Sequence, residues 1–341
     1  MKRLKGYYLR WLVVMGFLQP VCLFAQDIHF SQFFEAPLLR NPSLAGIFTG
    51  DIRVQAVYRD QWNTVTNAYR TGSLNAEYKM PIGRANDFIT AGLQILYDRA
   101  GSVSWTSTHI LPALNYHKSL SVERNSFLSL GFMGGPVQRM FDRSKMTTNS
   151  TYDGLGDGEP FLEPKATYID GAVGMSYNTQ LNSNPDNNIF FGLAYHHFTH
   201  PKNSFYRNGI AQVEPKWVGS AGVRFSVTPE SYITLQADHS VQGRFIETVG
   251  GALYGLKIGG PDLEHPAYTL QGGAFLRWND ALIPVIKLDY APFAVSLSYD
   301  VNISKLKTSS YGRGGFELGI SFVGFTHRPN STLDAVLCPR F

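Results

Sequence analysis

Three histidines stand close together, His196, His197 and His200, and imidazole is the most common side-chain ligand of metals in proteins. On a β-strand, however, consecutive side chains point to opposite faces, so His196 and His197 cannot easily share one ion. We therefore interpret this cluster as a solvated strand end and predict no metal site there.

A second group with metal-binding chemistry is acidic: Asp153, Asp157 and Glu159 lie in a glycine-rich stretch. Calcium binds carboxylate-rich flexible loops, but the EF-hand spacing is absent here. The composition of this stretch therefore indicates a solvated surface loop and not a calcium site.

One pair of residues has catalytic potential. Ser107 and His109 share one face of a predicted strand, as a nucleophile and its base would. No third, orienting group is identifiable, and the chain has no glycine-rich nucleotide loop of either usual spacing. We predict that the chain is not an enzyme and has no cofactor.

The first 25 residues have the layout of a secretory signal peptide, with Lys2, Arg3 and Lys5 before an apolar run from Trp11 to Phe24. That run is interrupted by Gln19-Pro20 and is too short to span a bilayer. Cleavage is expected after Ala25. The mature chain would then keep one cysteine, Cys338, and could form no internal disulfide.

The composition points to a membrane protein without membrane helices. The chain has 33 glycines, 18 tyrosines and 23 phenylalanines, while charged residues make up 16%, below the roughly 25% usual in soluble domains. No long apolar run follows the signal peptide, and only a closed barrel satisfies its backbone in lipid without such helices. The net charge of +4 is mild and no basic cluster is interleaved with aromatic residues, so no nucleic-acid partner is predicted.

From residue 51 onward apolar and polar residues alternate with a period of two, as they do along β-strands. Near its end Phe316, Leu318 and Ile320 alternate with Glu317 and Gly319, so that one face is lipid-like and the other wet. Roughly 14 such segments of about 9 to 11 residues predict an all-β transmembrane antiparallel barrel. The predicted segments are 52–58, 73–80, 89–97, 107–117, 127–135, 169–177, 189–197, 218–227, 233–238, 248–257, 268–278, 282–290, 295–300 and 316–322. We therefore divide the chain into the signal peptide 1–25, an irregular or plug segment 26–50 packed on or in the lumen, and the barrel 51–341.

Aromatic residues and connections give further detail. Tyr and Trp fall near predicted strand ends, as in the aromatic girdle of an outer-membrane barrel: Tyr58, Trp62, Tyr78, Tyr97, Trp105, Trp217 and Trp278. Connections 139–167 and 199–216 are long and polar and are expected to face the exterior, whereas 119–125, 229–230 and 279–280 are short. The alternative is a soluble β-sandwich or propeller, which would not usually combine low charge, even strands and export.

The segment after the signal peptide contains the run QDIHFSQF from Gln26 and NPSLAG from Asn41, and YRDQW follows from Tyr58. Shorter pieces stand at Tyr97-Asp98, Tyr299-Asp300 and Cys338 to Phe341. This succession resembles the PorP/SprF family of type IX secretion system membrane proteins, found in Bacteroidetes. The residues that carry this signature are Asp27, Phe30, Ser31, Gln32, Pro37, Asn41, Pro42, Gly46, Tyr58, Arg59, Gln61, Trp62, Asp98, Tyr299 and Asp300. One departure is Gly314-Gly315-Phe316-Glu317, where the family often has a Gly-Ser-His-Glu type of run.

The resemblance implies a protein of the bacterial outer membrane that works with other type IX components. Family members are thought to be needed for secretion or surface attachment of a large partner, such as a gliding adhesin, whose C-terminal domain they recognise. For the signature itself we predict a structural role in preference to direct contact with a ligand. Asn41-Pro42 favours a turn. The polar side chains would bond strand residues from within the lumen, because buried polar groups need partners; they are Asp27, Ser31, Gln32 and Asn41.

Two functions are therefore expected. In the first, Tyr152, Phe161, Phe205 and Tyr206 of the long loops bind the secreted partner, although these rings could equally pack the loops together. In the second, the barrel is a channel for small solutes or hydrophobic compounds. Whether segment 26–50 fills the lumen decides between them.

Overall fold

The computed structural model describes residues 27–61, 69–83, 86–154, 164–184, 186–205, 211–260, 266–304 and 307–326. The predicted signal peptide, Trp62, Phe161, Tyr206 and Cys338 lie outside these ranges. Within the described part of the chain, no helix is long and apolar enough to cross a membrane.

The described residues form an antiparallel sheet of fourteen strands that closes on itself, because β1 pairs with both β2 and β14. The strands are β1 Ile52–Gln61, β2 Tyr69–Ile82, β3 Asp87–Ala100, β4 Trp105–Ser121, β5 Ser126–Met140, β6 Lys165–Gln180, β7 Asn188–His196, β8 Lys216–Thr228, β9 Ser231–Gln242, β10 Phe245–Ile258, β11 Tyr268–Arg277, β12 Ala281–Tyr290, β13 Phe293–Asn302 and β14 Arg313–Gly324. The predicted barrel and its fourteen segments are confirmed.

Alternation along the strands puts apolar side chains outside and polar side chains inside. On β14, Phe316 and Ile320 are 42% and 46% exposed, whereas Glu317 between them is 1% exposed. The same two faces appear on β9, where Leu235 is exposed and Gln236 is buried. This arrangement inverts that of a soluble protein and suits a wall with lipid outside and polar contents inside.

Both rims of the barrel carry outward tyrosines and tryptophans, as the girdle prediction required. Tyr97 and Trp217 project near one end, and Tyr78 and Tyr290 near the other. Amphipathic rings are favoured at the level of the lipid headgroups, so these two belts mark the edges of the hydrocarbon layer.

The connections distinguish the two ends. The long-loop end contains the connections that follow the odd-numbered strands, including 141–164 and 197–215, and the short-turn end contains those that follow the even-numbered strands. The short connection at Asn279-Asp280 belongs to the long-loop end, so loop length alone does not show at which end of the barrel a connection lies. Strands β2 to β6 have 14 to 17 residues, more than the predicted 9 to 11, and therefore extend beyond the roughly 11 residues that a tilted strand needs to cross a bilayer.

The N-terminal segment lies in the lumen, which confirms its predicted position. We call residues 27–50 the plug. It contains a one-turn helix, Pro37–Arg40, between two 3-10 turns, Phe33–Glu35 and Pro42–Leu44. It begins beside His197 at the long-loop end and ends at the short-turn end, where the amide of Asp51 donates to the carbonyl of Gly324. The plug therefore crosses the full height of the barrel.

Apolar contact between plug and wall occurs in small separate clusters. Leu38 and Ala45 pack with Leu111 and Met133 of the wall. On the opposite side Phe33 packs with inward apolar residues of β10 to β12, namely Val249, Leu253, Phe275, Ala281, Ile283 and Val285. Burial of this surface favours docking of the plug, but the specific contacts are polar.

Candidate functional site

The first anchor of the plug is the carboxylate of Glu317 on β14. The backbone amides of Ser31 and Gln32 each donate to one of its oxygens at 2.7 Å. The side-chain amide of Gln32 donates to the Glu317 carbonyl and to Ser298, both at 3.0 Å. Hydrogen bonds to a charged acceptor are among the strongest in proteins, so this pairing fixes the plug near its N-terminal end.

Two arginines and a second carboxylate surround this anchor. Asp300 accepts from Arg59 at 3.1 Å and from Arg277 at 2.9 Å. Arg59 also donates to the carbonyl of His29 at 2.7 Å, and Arg277 donates to the hydroxyl of Ser31. Each buried charge thus has an opposite charge beside it, which offsets the large cost of removing it from water.

The second anchor is Arg40, at the end of the one-turn helix of the plug. Its Nε lies 2.7 Å from both carboxylate oxygens of Asp238 on β9, and Nη1 lies 3.3 Å from Gln236. The guanidinium carbon lies 4.8 Å from the ring centroid of Phe33 and 5.0 Å from that of Phe190. A planar fork between two rings and a carboxylate has one preferred geometry, so this residue sets the orientation of the plug.

The third anchor is the turn around Asn41. Its side-chain oxygen accepts from the amide of Ser43 at 2.9 Å and so caps the 3-10 turn. From the wall, Asn115 donates to the carbonyls of Ser43 and Ala45 at 2.6 and 2.8 Å. The amide of Gly46 donates to Glu77 at 2.7 Å. The turn that Asn41-Pro42 predicts is thus present, and its free backbone groups bond to the wall.

Close backbone approach at this anchor requires glycine. A Cβ on Gly131 would lie 2.5 Å from the backbone of Pro42 and Ser43, and one on Gly174 would lie 1.9 Å from Asn41 Oδ1. Gly46 has φ +83°, a conformation that other L-residues rarely adopt. The wall is therefore shaped to this segment of chain.

The plug begins in an ionic cluster at the long-loop end. His197 Nδ1 lies 2.6 Å from Asp170 and its Nε2 lies 3.4 Å from Asp27. Burial would lower the pKa of His197, but its contacts with Asp170 and Asp27 outweigh that effect and raise the pKa to about 9. Burial would likewise raise the pKa of Asp27, but Lys216 and His197 hold it well below its usual value. His197 and Asp27 are therefore both charged at neutral pH.

These contacts correct the interpretation of the histidines. His196 and His197 are 6% and 7% exposed, not solvated. Strand β7 ends at His196, and His197 has φ +58°, so strand alternation does not apply to it. Among the described residues no group of three or more His, Cys, Asp or Glu side chains could hold a metal ion. Asp153 is exposed, while Asp157 and Glu159 lie outside the described ranges.

The Ser107–His109 pair does form, with 2.9 Å between the hydroxyl and Nε2 of the imidazole. Both residues are buried in the lumen. Within the described ranges no further hydrogen bond orients the imidazole, as a catalytic triad requires.

Most of the described signature residues fall into two groups, and Gln61 and Asp98 belong to neither. Asp27, Phe30, Ser31, Gln32, Pro37, Asn41, Pro42, Gly46, Arg59 and Asp300 lie in the plug or bond to it. Tyr58 and Tyr299 instead face outward, 40% and 42% exposed, and belong to the aromatic belt. Gln61 is half-buried at the end of β1, and Asp98 accepts from Thr71 at 2.7 Å. The signature therefore combines plug docking with lipid contact.

The loop aromatics also differ from one another. Tyr152 is 96% exposed. Phe205 packs edge-on against Trp105 and Phe141, with ring centroids 5.0 and 5.1 Å away, so part of its ring surface is already in contact with other residues of the chain. An exposed tyrosine outside the predicted set is Tyr311, at 86%.

Several residues of the plug–wall contacts were not singled out from the sequence, namely Arg40 of the plug and Glu77, Asn115, Asp238 and Arg277 of the wall. Each wall residue among them lies at one of the alternate, polar positions of its strand, and this pattern predicts that it faces inward. The pairing with the plug had no signal of its own, because the contacts join residues up to 286 positions apart.

Comparison with known proteins supports the resemblance. The model of the family described as type IX secretion system membrane protein PorP/SprF matches residues 23–322. Among curated proteins, none matches this chain significantly.

Among solved structures, the Pseudomonas putida toluene transporter TodX is similar at 9% identity over 86% of this chain and 95% of that chain, with a TM-score of 0.49. CdiB from Acinetobacter baumannii is similar at 9% identity over 80% and 60%, with a TM-score of 0.44. BamA from Haemophilus ducreyi is similar at 9% identity over 80% and 70%, with a TM-score of 0.40. These likenesses concern the barrel alone.

A closed barrel with a lipid-facing exterior and a family match across nearly its whole length establish that this chain belongs to the PorP/SprF family of type IX secretion system membrane proteins, in the bacterial outer membrane.

Proposed function

We propose that this type IX component holds a secreted partner protein at its long-loop end, by the partner's C-terminal domain, and is needed for secretion or surface attachment of that partner. The observation that carries the proposal is the plug. Three polar anchors, at Glu317, Arg40 and Asn41, bind it along the height of the lumen. A protein built this way is suited to holding a partner at its surface.

The strength of the plug contacts supports this choice. Opening a path through the lumen would separate Arg40 from Asp238 and free the carboxylate of Glu317. Breaking a buried charge pair typically costs about 3–5 kcal/mol, and several would break together. The plug is therefore expected to stay in place while the protein works.

The long-loop end offers a surface for the partner. In outer-membrane barrels the longer loops face the exterior, where a secreted protein arrives. Tyr152 and Tyr311 are exposed there, and the rings of Trp105, Phe141 and Phe205 pack together at the same end. Tyrosine and tryptophan are enriched among the residues that dominate binding energy. The predicted candidates Phe161 and Tyr206 belong to the same two connections of the sequence and lie outside the described residues.

The proposed partner is adhesin-like, since the family works with type IX cargo. If the partner is a surface adhesin, loss of this protein would also reduce gliding motility. Other type IX components would contact the same barrel during delivery.

The experiment is deletion of this protein in its native host, followed by labelling of intact cells for an adhesin-type protein that carries a type IX C-terminal domain. Surface display should be lost and should return when the intact protein is supplied on a plasmid. Unchanged display of every such protein would contradict the proposal.

A second candidate, a solute channel, is favoured by one observation. A cavity of about 770 Å³ opens at the short-turn end. It meets Phe34 and Glu35 of the plug, so a solute would have to displace the plug to pass. Conductance measurements separate the two candidates.

A further inference from the structure

The plug fills only part of the lower lumen. Its 3-10 turn at Pro42–Leu44 packs on β4 to β6, and a cavity lies between other plug residues, including Phe34 and Phe48, and strands β8 to β14 and β1. We call this space the short-turn cavity. Its mouth includes the turn residues Ala291 and Pro292, and Phe34 and Glu35 of the plug lie on its wall.

The wall combines apolar rings with a few charges. Phe34, Phe48, Leu253 and Phe322 supply apolar surface. A volume of about 770 Å³ lies within the range of roughly 300–1,000 Å³ usual for small-molecule sites, which are also mostly apolar with a few polar groups.

Three of the four described cations on the wall are matched by acids. Lys287 lies 2.7 Å from Glu35, Arg53 lies 2.7 Å from Glu77, and Lys257 contacts Asp186. These pairs neutralise one another and offer no free charge to a ligand.

The fourth cation, Arg224, has no such acid. It is 6% exposed, its Nε donates to the hydroxyl of Thr234 at 3.1 Å, and its guanidinium carbon lies 4.4 Å from the ring centroid of Tyr232. In the described ranges no carboxylate lies within ion-pair distance of it, and a guanidinium has five N–H donors. A buried cation whose remaining donors line a cavity is a site for an anion.

Arg224 and the apolar residue Leu253 are close to each other in the sheet. Thr234 on β9 is directly opposite Arg224 on β8 and directly opposite Leu253 on β10. A ligand that reaches the guanidinium therefore also reaches the apolar wall. We propose that the short-turn cavity binds a single-chain amphiphile whose anionic headgroup pairs with Arg224 and whose apolar chain lies against Leu253, Phe34 and Phe48. This inference is independent of the partner-holding function.

The test is a fluorescence titration of the full-length protein, purified in nanodiscs of zwitterionic lipid, with cis-parinaric acid as the probe. Arg224→Gln should weaken binding about tenfold or more, as loss of a charge-assisted contact does, and Arg224→Lys should retain most of it. Arg124→Gln, the same change on an exposed turn of the same end, should bind like the wild type. Leu253→Trp, which fills the cavity without changing its charge, should also lose binding.

Competition identifies the headgroup. Oleate should displace the probe and oleyl alcohol should not, because only oleate carries an anion. Displacement by lysophosphatidate in preference to oleate would assign the source as a phospholipid, and the reverse would assign a free fatty acid. Equal binding by wild type and Arg224→Gln, equal competition by the alcohol, or binding of acidic peptides alone would overturn the proposal.

Discussion

The carboxylate of Glu317 touches the plug and is almost fully enclosed, since the residue is 1% exposed. It accepts from two plug amides at 2.7 Å and lies 3.4 Å from Arg59 Nε. Because several donors share this one acceptor, its removal would leave them buried without a partner.

Glu317→Ala should therefore lower the free energy of unfolding by about 3–5 kcal/mol, measured by denaturant unfolding in detergent micelles. Glu123→Ala, on an exposed turn, is the control and should change it by less than about 0.5 kcal/mol. Similar small effects for both variants would show that the anchor contributes little.

The pair of His197 and Asp27 predicts a pH dependence at the long-loop end. The pKa of His197 is raised to about 9, so the stability it contributes is complete below its unfolded pKa near 6.5 and is lost as the pH rises through about 9. The hydrogen bond of His197 with Asp170 contributes to this raised pKa together with Asp27, and Lys216 and His196 are further charged or titratable neighbours.

The stability advantage of the wild type over His197→Gln should accordingly be largest near pH 6, should shrink as the pH rises from about 6.5 to about 9, and should be nearly gone above pH 9, as shown by unfolding curves across that range. An advantage that grew with pH would contradict the sign of the shift. His200→Gln, outside this pair, provides the comparison.

Docking of the plug depends on glycines in the wall, because the missing side chain leaves room for the plug backbone. Gly131 lets the 3-10 turn at Pro42–Leu44 approach β5 closely, whereas Gly72 on β2 has nothing within 4 Å of where its Cβ would be. Gly131→Ala should displace the turn and cost about 1–3 kcal/mol, as overpacking does. The measurement is unfolding together with protease sensitivity of the plug in folded protein.

Gly72→Ala is the matched control and should leave both quantities unchanged. If Gly131→Ala proved as stable and as protected as the wild type, the plug would not be docked as tightly as its contacts indicate.

The elements themselves were predictable because alternation is a local property. Ser73, Glu77, Leu74 and Tyr78 on β2 occupy the faces that their period predicts. What the sequence could not predict is which inward residue meets which plug residue, since that depends on register and on the path of the plug. The Ser31–Glu317 contact is an example.

The same limit explains where prediction went wrong. The histidine pair was expected in solvent because nothing local shows that the carbonyl of Arg40 and the carboxylate of Asp27 come to meet it. Tyr58 was predicted in the aromatic girdle and does face outward, whereas nothing local predicts that its neighbour Arg59 bonds to Asp300 and to the carbonyl of His29 in the plug.

The contribution of the long-loop surface to partner display should be separable from the folding of the barrel. Tyr152→Ala should reduce surface display of the secreted partner several-fold without reducing the amount of folded barrel, because the exposed ring makes no contribution to the wall. Display on intact cells and heat-modifiability on gels measure the two properties.

Tyr290→Ala removes an exposed tyrosine at the opposite end and is the matched control. Equal loss of display in both variants would indicate a general effect on the barrel and would argue against a partner surface at Tyr152.

The plug distinguishes a protein that holds a partner from one that passes a solute, and conductance in planar bilayers measures this difference most directly. The intact protein should show no steady open pore, whereas a double variant, Arg40→Ala with Glu317→Ala, should show frequent openings because two of the three anchors are gone. The control is Glu123→Gln with Arg124→Gln on an exposed turn, which should stay closed. Steady conductance by the intact protein, equal to that of the double variant, would contradict a lumen sealed by residues 27–50.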